Sequence, residues 1–299
     1  TNATGTTPAP GRANLEVFAE ELEALVESDP RLTVVTSDSR GSGKLSGFGT
    51  RHPERLVEVG IAEQNLVAVA AGLAAGGRNV FAVSPASFLA TRSLEQVKHD
   101  VCYSDHPVTL VGISAGVSYG ALGSTHHSLH DFAALRAIHN VIVVAPADNW
   151  EAREAVRAAA ASRVPVYLRF GKKPLPDLPE ARGFRFGTGR LVREGGDGVF
   201  VTTGETAWRA YAAAEALADE GYSIGVLNLH TVKPLDVEAI ARVCGRAHAV
   251  VTVEEHSVHG GLGEAVAHAL LEGAMTPRFR IVGLPDEYTV TGSQDEILA

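Results

Sequence analysis

Short runs of β-branched residues recur along this chain, at Leu32–Thr36, Asn79–Val83, Val108–Ile113, Val141–Ala145 and Val164–Leu168, with helical periodicity or long crossovers between them. Such alternation predicts a parallel sheet with helices on both faces, because parallel strands need long crossovers and bury both of their surfaces. Ile61–Ala75 is apolar or small on nearly every face and is expected to be a buried helix. Asn149–Ala161 is amphipathic, with Glu151, Arg153, Glu154 and Arg157 on the side that reads as exposed. The pattern breaks between Gly171 and Phe184, where three prolines and two glycines stand without periodicity. It resumes with strands at Val199–Thr203, Ile224–Leu229, Ala249–Val253 and Arg280–Val282, separated by helices at Glu205–Glu220, Asp236–Cys244 and Gly261–Glu272. The expected organisation is α/β with two doubly wound domains, a larger one over residues 12–171 and a smaller one over 185–299, joined by a linker at 172–184. Thr1–Gly11, rich in Thr, Pro, Ala and Gly, is expected to be disordered.

Composition narrows the function. With 26 Lys+Arg against 35 Asp+Glu, the net charge of −9 argues against nucleic-acid binding, which needs clustered positive charge. The longest apolar run, Leu66–Ala75, falls short of a membrane span, and the first residues lack a signal-peptide pattern, so a soluble, cytoplasmic chain is expected. Cys102 and Cys244 stand far apart in helix-like contexts and read as two small buried hydrophobes.

Three segments carry polar residues that a sheet alone does not need: Ser37–Gly43, Gly60–Asn65 and Gly116–Asp131. The first and third follow predicted strands, the edge at which open parallel sheets place ligands. Glu63 opens the most apolar helix, either as a first-turn charge favourable to the helix dipole or as a desolvated acid held for a ligand.

The string Glu54-Arg55-Leu56-Val57-Glu58-Val59-Gly60-Ile61-Ala62-Glu63-Gln64-Asn65, followed by Ala71-Gly72-Leu73-Ala74, resembles the signature of the pyrimidine-binding domain of transketolase and 1-deoxyxylulose-5-phosphate synthase. The likeness continues in family order through Ser87-Phe88-Leu89, Glu95-Gln96-Val97, His99-Asp100-Val101, Gly123-Ser124-Thr125-His126, Pro146-Ala147-Asp148, Lys233-Pro234-Leu235-Asp236 and Glu254-Glu255-His256 to Gly260-Gly261-Leu262-Gly263. The resemblance implies a thiamine pyrimidine-binding domain followed by a transketolase C-terminal-like domain, and thiamine diphosphate as cofactor. It assigns Glu63 the carboxylate that hydrogen-bonds the aminopyrimidine and drives it to the imino tautomer. Phe88 becomes the ring on which the pyrimidine stacks, with an ordinary core phenylalanine as the alternative, and Ile61 a further cofactor contact. His126 becomes the histidine that contacts the substrate's reacting oxygens. Metal binding is the rival reading of His126, His127, His130 and Asp131, which crowd one loop; His127 and His130 otherwise read as solvated. By position Arg169 and Ser42 resemble phosphate-binding residues of the family and Arg92 is a further candidate, each with a plain surface residue as the alternative.

Family members bind the diphosphate through Mg²⁺ on a separate domain type with a Gly-Asp-Gly and a later asparagine. Gly196-Asp197-Gly198 and Asn228 mimic that pair at nearly the family spacing. Here, however, the Gly-Asp-Gly precedes a predicted strand instead of following one, so it reads as a turn and Asn228 as part of a strand. The resemblance therefore implies a partner subunit that binds the diphosphate and most of the Mg²⁺. An α₂β₂ heterotetramer in which this chain also self-associates follows. One departure bears on substrate: where the family shows Gly-x-Asp-Gly-Pro-Thr-His, this chain has Gly120-Ala121-Leu122-Gly123-Ser124-Thr125-His126, followed by His127. Leu122 cannot bond the substrate hydroxyl that the family aspartate holds, and burying that hydroxyl unpaired costs on the order of 1–3 kcal/mol. The expected activity is transfer of a two-carbon ketol unit to or from a substrate that lacks this hydroxyl or holds it differently. The alternatives are a decarboxylating thiamine enzyme, like deoxyxylulose phosphate synthase or the beta chain of a 2-oxoacid dehydrogenase, and a non-catalytic scaffold subunit.

Overall fold

Strands Leu32–Thr36 (β1) and Val108–Ile113 (β4) are buried along their whole length, so both faces of their sheet are covered. They belong, in a computed structural model that describes residues 11–179 and 183–299, to a sheet completed by Leu56–Glu58 (β2), Asn79–Pro85 (β3), Ile142–Val144 (β5) and Val166–Arg169 (β6). Its order is β5-β6-β4-β3-β1-β2, all parallel. One face is covered by Asn14–Ser28 (α1) and Asn149–Ala160 (α7), whose Leu15, Phe18, Leu22, Ala152 and Val156 pack on Phe81 and Val111. The other face lies under Glu63–Ala75 (α3), the π-helical turn Val97–Tyr103 and Asp131–Ala137 (α6), through Leu66, Val67, Ala70, Val101 and Phe132. Shorter helices Ser46–Arg51 (α2), Ala86–Thr91 (α4) and Leu94–Gln96 (α5) complete this unit.

The second unit has strands Arg190–Arg193 (β7), Gly198–Thr202 (β8), Ile224–Asn228 (β9), Thr231–Lys233 (β10), Ala249–Ser257 (β11) and Arg278–Leu284 (β12). Its helices are Ala207–Asp219 (α8), Val237–Cys244 (α9), Leu262–Glu272 (α10) and Gln294–Ile297 (α11). Its sheet runs β12-β11-β8-β9-β7, parallel except for β7. Strand β10 leaves that sheet and pairs antiparallel with β5, so the smaller unit supplies an edge strand to the larger one. No helix among the described residues is long and apolar enough to cross a membrane.

Several expectations need correction. Helix α3 is not buried all round: Gln64, Asn65, Ala68 and Gly72 are exposed along one side, and Ile61 just before it is 75% exposed. That side is made of polar Gln64 and Asn65 and small Ala68 and Gly72. Glu151 of α7 faces inward and is fully buried, because the second unit presents Arg190 and Asn228 to it. Residues 172–184 form no regular structure over their described part, yet they are not a loose tether: Leu175 and Leu178 are buried, and the Leu178 N–H donates to Asp148 at 3.1 Å. The disorder expected for Thr1–Gly11 falls almost wholly outside the described residues. Cys102 and Cys244 are both buried free thiols.

Candidate active site

The carboxyl ends of β1, β3, β4 and β6 lead into the segments that carry the candidate residues. Strand β3 runs through Pro85 directly into α4, which sets Phe88 at the sheet edge, half-buried, with Arg92 one turn later. Opposite it, the first residue of α3, Glu63, is 2% exposed. The Arg92 guanidinium spans the two: Nη1 donates to Glu63 Oε2 at 2.8 Å, and the Cζ lies 4.4 Å from the centroid of the Phe88 ring.

His126 completes this group. It comes from the loop after β4, which turns through Gly116 and through a 3₁₀ turn at Gly120–Leu122, both glycines at positive φ. Its ring sits edge-on to Phe88 at 5.2 Å and to Tyr119 at 5.4 Å, and Thr125 Oγ1 lies 3.0 Å from its Nδ1. Glu63, Phe88, Arg92 and His126 therefore meet at one place. Leu122, in the same loop, is 53% exposed. Ser42 lies half-buried in the turn after β1, along the same sheet edge.

The remaining candidates sit differently. Arg169 ends β6 but is buried: Nε donates to Asp131 at 2.8 Å, Nη2 to the carbonyls of Ser128 and Glu255 at 3.1 and 2.8 Å, and the group lies over Phe132. These contacts make it a brace between the loop after β4 and β11. Burial is the largest influence on the Asp131 carboxyl and raises it, but the Arg169 and His256 charges and the hydrogen bonds from Arg169 and Tyr167 together hold it below the usual range. His127, read from sequence as a solvated loop residue, is 3% exposed, and burial pushes its imidazole below the ordinary value. His126, His127 and Asp131 thus point to three different sets of partners, which is why their crowding in sequence does not become a metal cluster among the described residues. The Gly-Asp-Gly turn precedes β8, where Asp197 accepts the Ser223 N–H at 2.7 Å.

Sequence reasoning missed Lys172 and Glu255. The Lys172 ammonium lies 4.2 Å over the Tyr119 ring, and burial, then the Lys44 charge, pushes it below the ordinary lysine value. Among the described residues no carboxylate pairs with it, so it is a half-buried cation beside His126's own aromatic neighbour. Its signal was the Gly-Lys-Lys immediately after a strand, which reads as linker when Arg169 is taken as the anion ligand. Glu255 reaches from β11 into the first unit, where its Oε1 accepts the Val117 N–H at 2.7 Å. Successive acids on a strand point to opposite faces, and Glu254 accordingly caps α10 through the N–H groups of Leu262 and Gly263 at 2.6 and 2.8 Å. Burial raises Glu254 to about 7, and burial with the Glu255 charge raises Glu205 to about 8.

Residues 11–177 match the transketolase pyrimidine binding domain and residues 187–299 the transketolase C-terminal domain, and the chain belongs to the transketolase family. It is 42% identical over 284 residues to one of the subunits of the apulose-4-phosphate transketolase of Phocaeicola vulgatus, covering 94% of this chain and 90% of that one. It is 36% identical to a 6-deoxy-6-sulfo-D-fructose transketolase subunit of a Clostridium species, over 94% of this chain and 87% of that one. A solved split gene transketolase, an inactive beta4 tetramer, superposes with a TM-score of 0.83 at 36% identity, covering 92% of this chain and 90% of its own.

The family's cofactor fits this geometry. A guanidinium is planar and nitrogen-bearing, and here it stacks on Phe88 while donating to a buried carboxylate. An aminopyrimidine would need a carboxyl partner and an aromatic face, and Glu63 and Phe88 supply those two chemistries side by side. The Arg92 side chain is 48% exposed, whereas that of Glu63 is 2% exposed.

Proposed function

We propose that this chain is the C-terminal subunit of a two-component, thiamine diphosphate-dependent transketolase that moves a two-carbon ketol unit between carbonyl compounds in the cytoplasm. The observation that carries this reading is the convergence of Glu63, Phe88 and His126 around a space already filled by a planar nitrogen cation. When bound, thiamine diphosphate supplies the carbanion-stabilising chemistry of ketol transfer. Glu63 holds the pyrimidine's ring nitrogen from a site shielded from water, Phe88 supports the ring face, and Ile61 is a further contact. His126, held edge-on by two rings, presents a nitrogen to the oxygens of the reacting carbonyl and moves the proton there. Lys172, with Ser42 nearby at the same edge, is a further group for the substrate's anionic end beside the sequence candidates Arg169 and Arg92. Leu122 stands where a substrate hydroxyl would need a partner, which favours a ketol donor or acceptor without it. The named relatives, one acting on a phosphorylated and one on a sulfonated ketose, fit a subunit that reads an anion but departs from ordinary sugars.

The diphosphate and most of the Mg²⁺ belong to a partner subunit. The exposed side of α3 with Ile61 is the face this chain offers for assembly, and an α₂β₂ heterotetramer with domain bounds at 12–171 and 185–299 is our reading. Thiamine diphosphate binding, measured calorimetrically on this chain, on its partner and on the mixture, tests it: tight binding is expected from the mixture alone. Tight binding by this chain by itself refutes the shared site. In the mixture, Glu63→Ala retaining full ketol transfer sinks the catalytic reading in favour of a scaffold.

A further inference from the structure

The loop that carries Leu122 and His126 is clasped from outside by the second unit. At its base, Glu255 accepts the Val117 N–H at 2.7 Å and the Ser257 N–H donates to the Leu129 carbonyl at 2.9 Å. Across its tip lies the segment between β12 and α11. Ser124 Oγ donates to the Thr289 carbonyl at 3.2 Å, Thr289 Oγ1 lies 2.8 Å from His127 Nδ1, and a Cβ at Gly120 would come within 2.6 Å of the Gly292 carbonyl. The strap is itself fixed at its far end, where Gln294 donates to Glu255 at 2.9 Å and Asp295 pairs with Lys173 and Arg209 at 2.6 and 2.8 Å.

Hydrogen-bond logic fixes the direction at the centre of the clasp. His127 Nε2 lies 3.2 Å from the Gly120 carbonyl, which only accepts, so Nε2 carries the proton. Nδ1 of the neutral ring is then an acceptor, and the Thr289 hydroxyl must donate to it. One imidazole thus ties the start of the Gly120–Leu122 turn to the strap, and its two loop ends, Gly120 and His127, bracket Leu122 and His126.

We propose that Thr289 and His127 are positioning residues: the strap of the second unit sets the loop that presents His126 and Leu122, and so tunes how the acceptor is read. This rests on the transketolase reading for its kinetic consequence but not for its structural one. Thr289→Val keeps the shape, removes the donor and leaves His127 Nδ1 buried without a partner; Thr289→Ser restores the donor.

Hydrogen–deuterium exchange on the chain alone reads the loop directly. Amides of residues 118–127 are expected to exchange about tenfold faster in Thr289→Val and at the wild-type rate in Thr289→Ser. With the partner subunit and cofactor, Thr289→Val is expected to raise KM for the acceptor about tenfold with a smaller change in kcat, Thr289→Ser to recover it, and the melting temperature to stay near wild type. Wild-type exchange in Thr289→Val, or a kinetic loss that Thr289→Ser fails to recover, overturns the proposal. If the wild-type pair shows no ketol transfer, the proposed function fails, and the exchange result still decides whether the strap holds the loop.

Discussion

Replacing Arg190 with methionine should unfold the seam between the two units more than any surface change. Arg190 Nη1 lies 2.8 Å from Asp148 and 3.2 Å from Glu151, and Nη2 donates to the carbonyls of Leu178 and Pro179 at 2.8 and 2.7 Å. Both carboxylates are fully buried, and Asn228 donates to both oxygens of Glu151 at 2.9 and 3.0 Å. Burial, then the neighbouring Asp148 charge, already raises Glu151 to about 7 with the cation in place. Removing one partner of a buried ionic group costs about 3–5 kcal/mol, and for a chain of this size that lowers Tm by about 10 °C. The sign of the pH dependence is fixed. Without the guanidinium, Glu151 takes a folded pKa further above its unfolded one, so the folded state binds more protons and loses stability as pH rises. The gap to wild type should therefore widen between pH 5.5 and 8.5. Arg190→Lys keeps a charge but cannot span two acids and two carbonyls, and should recover only part. Melting followed by circular dichroism at both pH values checks this. An Arg190→Met protein that melts within about 2 °C of wild type, or whose deficit is the same at both pH values, refutes the reasoning.

Four further outcomes are expected. Glu63→Gln, in the assembled enzyme, should lower kcat by roughly 10²–10⁴, the range for a positioned proton-transfer partner, with the melting temperature of the chain alone almost unchanged. Leu122→Asp should shift the ratio of kcat/KM for hydroxylated over non-hydroxylated acceptors upward by about 10–100-fold, read by competition between two aldehydes. Lys172→Met should raise KM for an anionic ketose while leaving that for its uncharged analogue alone, and added salt should narrow the difference. Glu205, raised to about 8, favours the folded state when protonated, so wild-type stability should fall as pH climbs from the ordinary carboxylate range to about 8. Glu205→Gln should flatten that slope in a denaturant series run at several pH values.

The strands of each sheet core were legible because burial on both faces leaves β-branched runs that little else produces, as in β1, β4 and β8. Three strands were not, and the first, Leu56–Glu58 (β2), is only three residues long and lies at the edge of its sheet. Strand β7 reads Arg-Leu-Val-Arg, too short and too charged to stand out, and its arginines are spent on contacts that exist only once the chain has folded. Strand β10 is three residues before a proline, and the sheet it joins belongs to the other unit, which no local pattern announces. The same cause lies behind the misreading of Glu151. Its place on α7 fits the polar side of an isolated helix, and only the arrival of Arg190 and Asn228 from the second unit makes that side an interior.

Within the site, Glu63, Phe88 and His126, singled out by the family resemblance, are brought together by the fold. What sequence could not show is how Arg169 and His127 are held by contacts that include the second unit. Arg169 occupies the end of a strand at the ligand edge, which is where a phosphate ligand belongs, but Asp131 below it and the Glu255 backbone beyond it claim the guanidinium. His127 looked solvated until Thr289 and the Gly120 carbonyl closed on both of its nitrogens. In each case a second unit that carries none of Glu63, Phe88 or His126 decides which polar groups of the first are free to act. A chain built this way cannot keep its substrate loops in register if the second unit is loosened. The Arg190 and Thr289 variants should therefore differ in kind: the first should lower the stability of the whole seam, the second should free one loop while the seam holds.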